Sequence, residues 1–101
     1  MPPLWTDLAA AAALVKDGDL VALAGHTQAA PMALIRELIR QGRRRLGLIT
    51  VPTGGLNVDL AVGAGVVDRL HFAQVGLEEY GMAPNFRAAV QAGRLDCLEY
   101  P

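Results

Sequence analysis

The sequence predicts an α/β domain: three layers, with an open, mostly parallel sheet and helices on both faces. Two patterns carry that prediction. Four short apolar runs alternate along the chain with four segments of helical period, the arrangement produced by strand–helix–strand crossovers. The first run, Leu20-Val21-Ala22-Leu23-Ala24, has no polar residue to give it a solvent face, as expected of a central parallel strand. With 101 residues the chain makes one domain at most, residues 1–101, burying roughly 60–65% of its extended surface.

In chain order, Thr6 is the expected N-cap of a helix running to about Lys16, with Leu8, Ala11, Ala12 and Val15 on its inner face. Gly18 in Asp17-Gly18-Asp19 suits the left-handed position that lets the chain reverse into Leu20–Ala24. Pro31 opens a second helix through about Gln41, with Leu34, Ile35, Leu38 and Ile39 inward, Arg36, Glu37 and Arg40 outward, and Gly42 as the stop. Leu46 to Val51 is the second strand. After the loop Pro52-Thr53-Gly54-Gly55, Asn57 is placed to cap a short helix through about Gly63, although Val58, Leu60, Ala61 and Val62 suit a strand equally. Asp68 to Val75 is the third strand and residues 76–81 a loop. Pro84 or Asn85 then starts a helix through Ala92 with Phe86, Ala89 and Val90 inward, and Leu95 to Tyr100 is the fourth strand.

Composition excludes several functions. Nine basic and ten acidic residues leave a net charge of -1, so the domain has no overall nucleic-acid footprint. Arg43-Arg44-Arg45 follows a helix carboxyl terminus, where cations are favoured, and is expected as a solvated face; contact with a partner subunit or nucleic acid is the alternative, without aromatic or helical context to support it. One cysteine, Cys97, cannot form an internal disulfide and fits a reducing compartment. Trp5 to Val15 is interrupted by Thr6 and Asp7 and too short to span a bilayer, so a cytoplasmic protein with no membrane partner is expected. There is no serine, hence no serine nucleophile, and no phosphate-binding glycine loop or dinucleotide fingerprint. His26, His71 and Cys97 are too far apart in sequence to suggest a metal site.

Parallel strands would bring the loops at Gly25, at Gly54-Gly55 and at Gly76 out on one edge of the sheet, where α/β proteins bind ligands. Any one of these glycines could simply end a strand. Together they carry Gly25, His26, Thr27, Gln28, Gly54, Gly55 and Asn57 as candidate substrate-binding residues. His26 could donate to a carbonyl or phosphate, or be an ordinary surface histidine. Thr27 and Gln28 lie before the Pro31 helix, whose amino end favours anions; plain helix capping is the alternative. Glu78-Glu79 is the acidic feature of interest. Two adjacent carboxylates can hardly both be buried unpaired; a salt bridge or surface role is the first expectation, and one carboxylate pointing into the cleft as base or nucleophile is the alternative.

Several stretches carry a family resemblance: Lys16-Asp17-Gly18-Asp19, Val21 to Gly25, Pro31 to Leu38, and Asp59 to Arg69. The most specific are Val75-Gly76-Leu77-Glu78 and Tyr80-Gly81-Met82-Ala83-Pro84-Asn85-Phe86-Arg87-Ala88-Ala89-Val90. In these segments the chain resembles the amino-terminal part of a class I coenzyme A transferase alpha subunit of the glutaconate CoA-transferase type. It departs from that pattern at Ala24, where many relatives have glycine, at His26, often aromatic, and at Gln91, usually acidic.

The resemblance implies an open α/β sheet, a partner beta subunit with the active site near the interface, and acyl-CoA substrates with a carboxylate acceptor. Coenzyme A enters as part of the substrate, and no tightly bound cofactor is implied. The resemblance places the nucleophilic glutamate in the beta subunit, with the Ala24–Gln28 loop lining the site, so the chain alone is expected to be inactive. Related proteins of this fold hydrolyse CoA thioesters, including ring-opening steps in steroid breakdown, and there Glu78 is the best catalytic carboxylate of this chain. Because alpha subunits continue well past the position of Pro101, a truncated polypeptide with an open apolar sheet edge is expected: a fragment, a shortened gene product or one piece of an assembly. A non-catalytic domain that only docks is the remaining alternative.

Overall fold

The computed structural model describes residues 5–25, 29–51 and 53–100, with Val51 described in its backbone only. Along the chain it runs α1 (Leu8–Ala13), β1 (Leu20–Ala24), α2 (Met32–Arg40), β2 (Leu46–Val51), β3 (Thr53–Gly54) and α3 (Leu56–Gly63). Then come β4 (Val67–Phe72), β5 (Gln74–Val75), a 3-10 turn (Glu78–Tyr80), α4 (Pro84–Gln91) and β6 (Asp96–Glu99). The strands β1-β2-β4-β6 form one parallel sheet in that order, and β3 pairs in parallel with β5.

Strands adjacent in sequence are thus adjacent in space. Successive right-handed crossovers step the same way and lay their helices on one face. Burial reports the same thing. Leu23, Leu48, Thr50, Leu70 and Phe72 are buried against the helices, whereas Leu20, Ala22, Ala24, Ile49 and His71, alternating with them, are exposed or half-buried. The predicted α/β fold, a parallel sheet flanked by helices, is present. The second helical layer is not contributed by the described residues, which form two layers. Among them β1, expected to be central, pairs only with β2. The core joins Leu46, Leu48 and Leu70 of the sheet to Ile35 and Leu38 of α2 and Val58, Ala61 and Val62 of α3.

Local details correct several expectations. Asp7, not Thr6, caps α1: its Oδ1 accepts the Ala10 N–H at 2.8 Å. The helix stops short of Lys16, whose N–H donates to Asp19 Oδ2 at 2.8 Å as the chain reverses at Gly18, φ +85°. Glu37 is buried rather than outside; its carboxylate accepts from Gln41 Nε2 at 2.9 Å and meets Arg40 at 3.4 Å. Gln41 Nε2 also donates to Ala9 O at 3.0 Å, so this polar group ties α1 to α2. Arg43 is not a solvated charge either, since its Nε donates to Val15 O at 2.6 Å. Residues 56–63 resolve as helix; apolar nearly all round, α3 is the buried kind of helix, which is why its periodicity was ambiguous. The expected strand over 68–75 breaks at Ala73, and its last two residues join β3. Phe86 packs edge-on against Phe72 at 5.4 Å between ring centroids, while Val90, expected inward, is exposed.

Thr50 Oγ1 is buried with no hydrogen-bond partner among the described residues. A valine there keeps the shape and removes the unpaired hydroxyl. Thr50→Val is therefore expected to stabilise the domain by about 1 kcal/mol, seen as a higher thermal midpoint.

Candidate functional site

The site is assembled at the carboxyl edge of the sheet. Because β1, β2 and β4 run in parallel register, the segments that follow them leave on the same side. After β1, Gly25 takes φ +84° and the chain folds back so closely that a Cβ there would lie 2.6 Å from Ala29 O and 2.8 Å from Ala30 N. Only glycine fits such an approach to backbone. Ala29, across the loop, also has a positive φ, +57°. His26, Thr27 and Gln28 lie outside the described residues.

The next two loops are joined directly. The Gly76 N–H donates to Gly54 O at 2.9 Å, extending the β3–β5 pairing. Gly54 is closely flanked; a Cβ on it would stand 2.9 Å from Val58 Cγ2 and 3.1 Å from Thr50 Cγ2. Gly55, not Asn57, occupies the N-cap of α3. Asn57 sits inside the helix, 1% exposed, with Oδ1 accepting the Gly55 N–H at 3.3 Å. Its carbonyl oxygen therefore shapes the glycine loop from below.

Glu78 begins the 3-10 turn at φ +53°, a conformation that costs a non-glycine residue roughly 1–2 kcal/mol. Closure of the turn holds it there: Leu77 N–H donates to Gly81 O at 2.9 Å, and Gly81 N–H donates to Glu78 O at 3.0 Å. Both Glu78 and Glu79 are exposed, and neither carboxylate has an ion-pair partner among the described residues. Of the candidate residues, the structure joins Gly54 to Gly76, two residues before Glu78, and places Gly25 on the same edge.

Asp59 was missed by sequence reasoning. It is 3% exposed, and its two oxygens accept the Phe86 N–H at 2.7 Å and Asn85 Nδ2 at 3.1 Å. The available signal was a carboxylate amid Val58, Leu60, Ala61 and Val62 with no basic residue one turn away. His71 stacks on Tyr100 at 5.8 Å, with Nδ1 3.1 Å from the hydroxyl, on the open face of the sheet. Burial, then the charges of Glu99 and Asp96, push the Cys97 thiol upward, so it stays protonated near neutral pH and is a poor nucleophile. Among the described residues no three metal-ligating side chains cluster, and no helix is long and apolar enough to cross a membrane.

The model of the coenzyme A transferase family matches residues 6–101. The chain belongs to the coenzyme A transferase family. It is a class I, alpha-subunit-like domain, 39% identical over 99 residues to the A subunit of 3-oxoadipate CoA-transferase from Pseudomonas knackmussii. That similarity covers 98% of this chain and 35% of the relative. Among solved structures, glutaconate CoA-transferase from Acidaminococcus fermentans superposes with a TM-score of 0.82 at 28% identity, over 94% of this chain and 31% of that one. The AibA/AibB decarboxylase superposes with a TM-score of 0.84 at 34% identity, over 97% of this chain and 38% of that one. This CoA-transferase domain therefore spans about a third of the length of each of these relatives, and at these scores its sheet and helices are those of the family fold.

Proposed function

We propose that the chain is an alpha-subunit segment of a CoA-transferase that moves CoA between an acyl-CoA thioester and a carboxylate acceptor. The observation that carries this reading is the likeness to one subunit of a transferase over 98% of the chain, a span that includes all three strand-end loops. In this reading the thioester carbonyl is attacked by a glutamate of a partner beta subunit, which releases CoA thiolate and leaves an acyl anhydride. The thiolate then attacks the glutamyl carbonyl, freeing the first acid and storing CoA as an enzyme thioester. The acceptor carboxylate attacks that thioester, releasing the thiolate and forming a second anhydride, whose acceptor carbonyl the thiolate attacks to give the new acyl-CoA and restore the glutamate. The task of the Gly25 loop is to let backbone donors approach the oxyanion formed at each attack. Leu56, Tyr80 and Met82, 54%, 81% and 67% exposed beside the glycine and Glu78 loops, support a partner docked on this edge.

Co-purification followed by assay of the pair with an acyl-CoA, with and without an acceptor carboxylate, tests the proposal. Turnover that requires the acceptor is expected. A pair that turns over no thioester at all would leave only a docking role.

A second reading has a specific observation behind it. Glu78 places an exposed carboxylate, without an ion-pair partner among the described residues, on a strained turn at the same edge, and strain of this kind concentrates at functional sites. In that reading Glu78 activates water for thioester hydrolysis, with no need of an acceptor. Glu78→Gln keeps the size of the side chain and removes the base, so a fall of about 10²-fold or more in acceptor-independent turnover is expected. Unchanged turnover in the assembled enzyme would remove Glu78 from the chemistry.

A further inference from the structure

We propose that Asp59 is a positioning residue: it locks the glycine loop at the start of α3 and the Glu78 turn before α4 into one rigid unit. The helix α4 opens on Ala83-Pro84 and has no capping side chain of its own. An alanine side chain there cannot accept the N–H of the helix's third residue, the bond that an Asp, Asn, Ser or Thr N-cap normally makes. Asp59, on a different helix, makes that bond instead, Oδ1 to the Phe86 N–H at 2.7 Å. Its second oxygen takes Asn85 Nδ2 at 3.1 Å, and the same carboxamide lies against Gly63, where a Cβ would come within 2.6 Å of it. Glycine at 63 thus leaves room for the Asn85 side chain to reach Asp59.

The other end of the connection is held by the same stretch of chain. Gly76, just before the turn, donates to Gly54 O at 2.9 Å, five residues upstream of Asp59. Residues 77–83 therefore run between two anchors, Gly54 and Asp59, both belonging to the segment that forms the glycine loop. Between the anchors the turn is closed by its own backbone bonds, Leu77 to Gly81 and Gly81 to Glu78, with Ala83 buried. A displacement of α4 would release the downstream anchor and leave Glu78 free to leave its positive-φ conformation. Relevance to catalysis rests on the functional reading above; the brace itself rests on geometry alone.

Backbone hydrogen exchange on the full chain tests this. Asp59→Ala is expected to speed exchange at Phe86, Leu77 and Gly81 at least tenfold while Leu48 and Leu70 stay within about twofold. Asp59→Asn keeps an oxygen for the Phe86 N–H, and the Asn85 amide can flip to meet the new NH2, so protection should return. Where Asp59→Ala does not fold, Asn85→Ala removes only the second contact and is expected to speed the same amides about threefold. A uniform rise that includes Leu48 and Leu70, or no change at residues 77–81 in any of these variants, would overturn the proposal. In the assembled enzyme Asp59→Ala should lower kcat with KM nearly unchanged, and Asp59→Asn should restore it. Exchange needs no ligand, so the local pattern in a chain whose assembled pair turns over no thioester would support the brace while counting against the functional reading.

Discussion

Gly25→Ala is expected to cost the domain roughly 2–5 kcal/mol and to abolish thioester turnover in the assembled enzyme. Two effects add. The left-handed backbone conformation at φ +84° carries a penalty of about 1–2 kcal/mol for a residue with a Cβ. The new methyl group would also sit 2.6 Å from Ala29 O and 2.7 Å from Ala29 C, which is backbone and cannot rotate aside; forced overlap of this kind typically adds about 1–3 kcal/mol. Gly18 supplies the control. Its φ is +85°, yet nothing lies within 4 Å of a Cβ built there. Gly18→Ala should therefore show the conformational term alone, about 1–2 kcal/mol, with turnover intact. Denaturant unfolding of both variants, with turnover of the reconstituted pair, separates the two effects. Equal losses at the two sites would mean that the close approach after β1 contributes nothing.

Leu70→Ala is expected to be equally damaging to the fold. Leu70 is 0% exposed in β4, paired in register with Leu48 on one side and Cys97 on the other, and belongs to the core cluster of the described residues. Removal of a leucine side chain from such a place costs about 2–5 kcal/mol, depending on how far the cavity collapses. Against the roughly 5–15 kcal/mol of a typical domain, that is enough to lower the thermal midpoint by about 8 °C or more, at about 4–8 °C per kcal/mol for a chain of this size. Leu14→Ala, at a position 71% exposed, should change stability by no more than about 0.5 kcal/mol. Calorimetry on the two variants checks the contrast. A small effect at Leu70 would argue that the sheet and helices are not packed as one core.

Most of the secondary structure was legible because it depends on near neighbours. The apolar run Leu20–Ala24 and the inner stripe of α2 are set by side-chain spacing over one or two turns, and Gly18 and Gly42 mark their turns through positive φ, +85° and +73°. Capping was less legible. Thr6 and Asp7 are adjacent and both can cap, and the Ala10 contact decided for Asp7. Arg43 looked solvated within a run of three arginines, but its Nε is held by Val15 O, 28 residues away; Glu37 is covered where Gln41, which it accepts from, reaches Ala9 O of α1.

The candidate site divides in the same way. Segments such as Val75–Glu78 and Tyr80–Val90 were sufficient, as sequence, to identify the CoA-transferase family, and parallel strands implied that the loops at Gly25, Gly54-Gly55 and Gly76 share one edge. Tertiary structure decided which of those residues hold one another. It turned Asn57 from a cap into an internal support for Gly55, split β5 from β4 to pair with β3, and made Asp59 the cap of a helix that begins 25 residues further along. It also placed the described helices on one face, leaving Leu20, Ala22 and Ala24 exposed on the other. The physical reason is common to all of these. Periodicity reports which residues seek burial, but a partner's identity depends on strand order and crossover direction, which are settled only when distant parts of the chain meet.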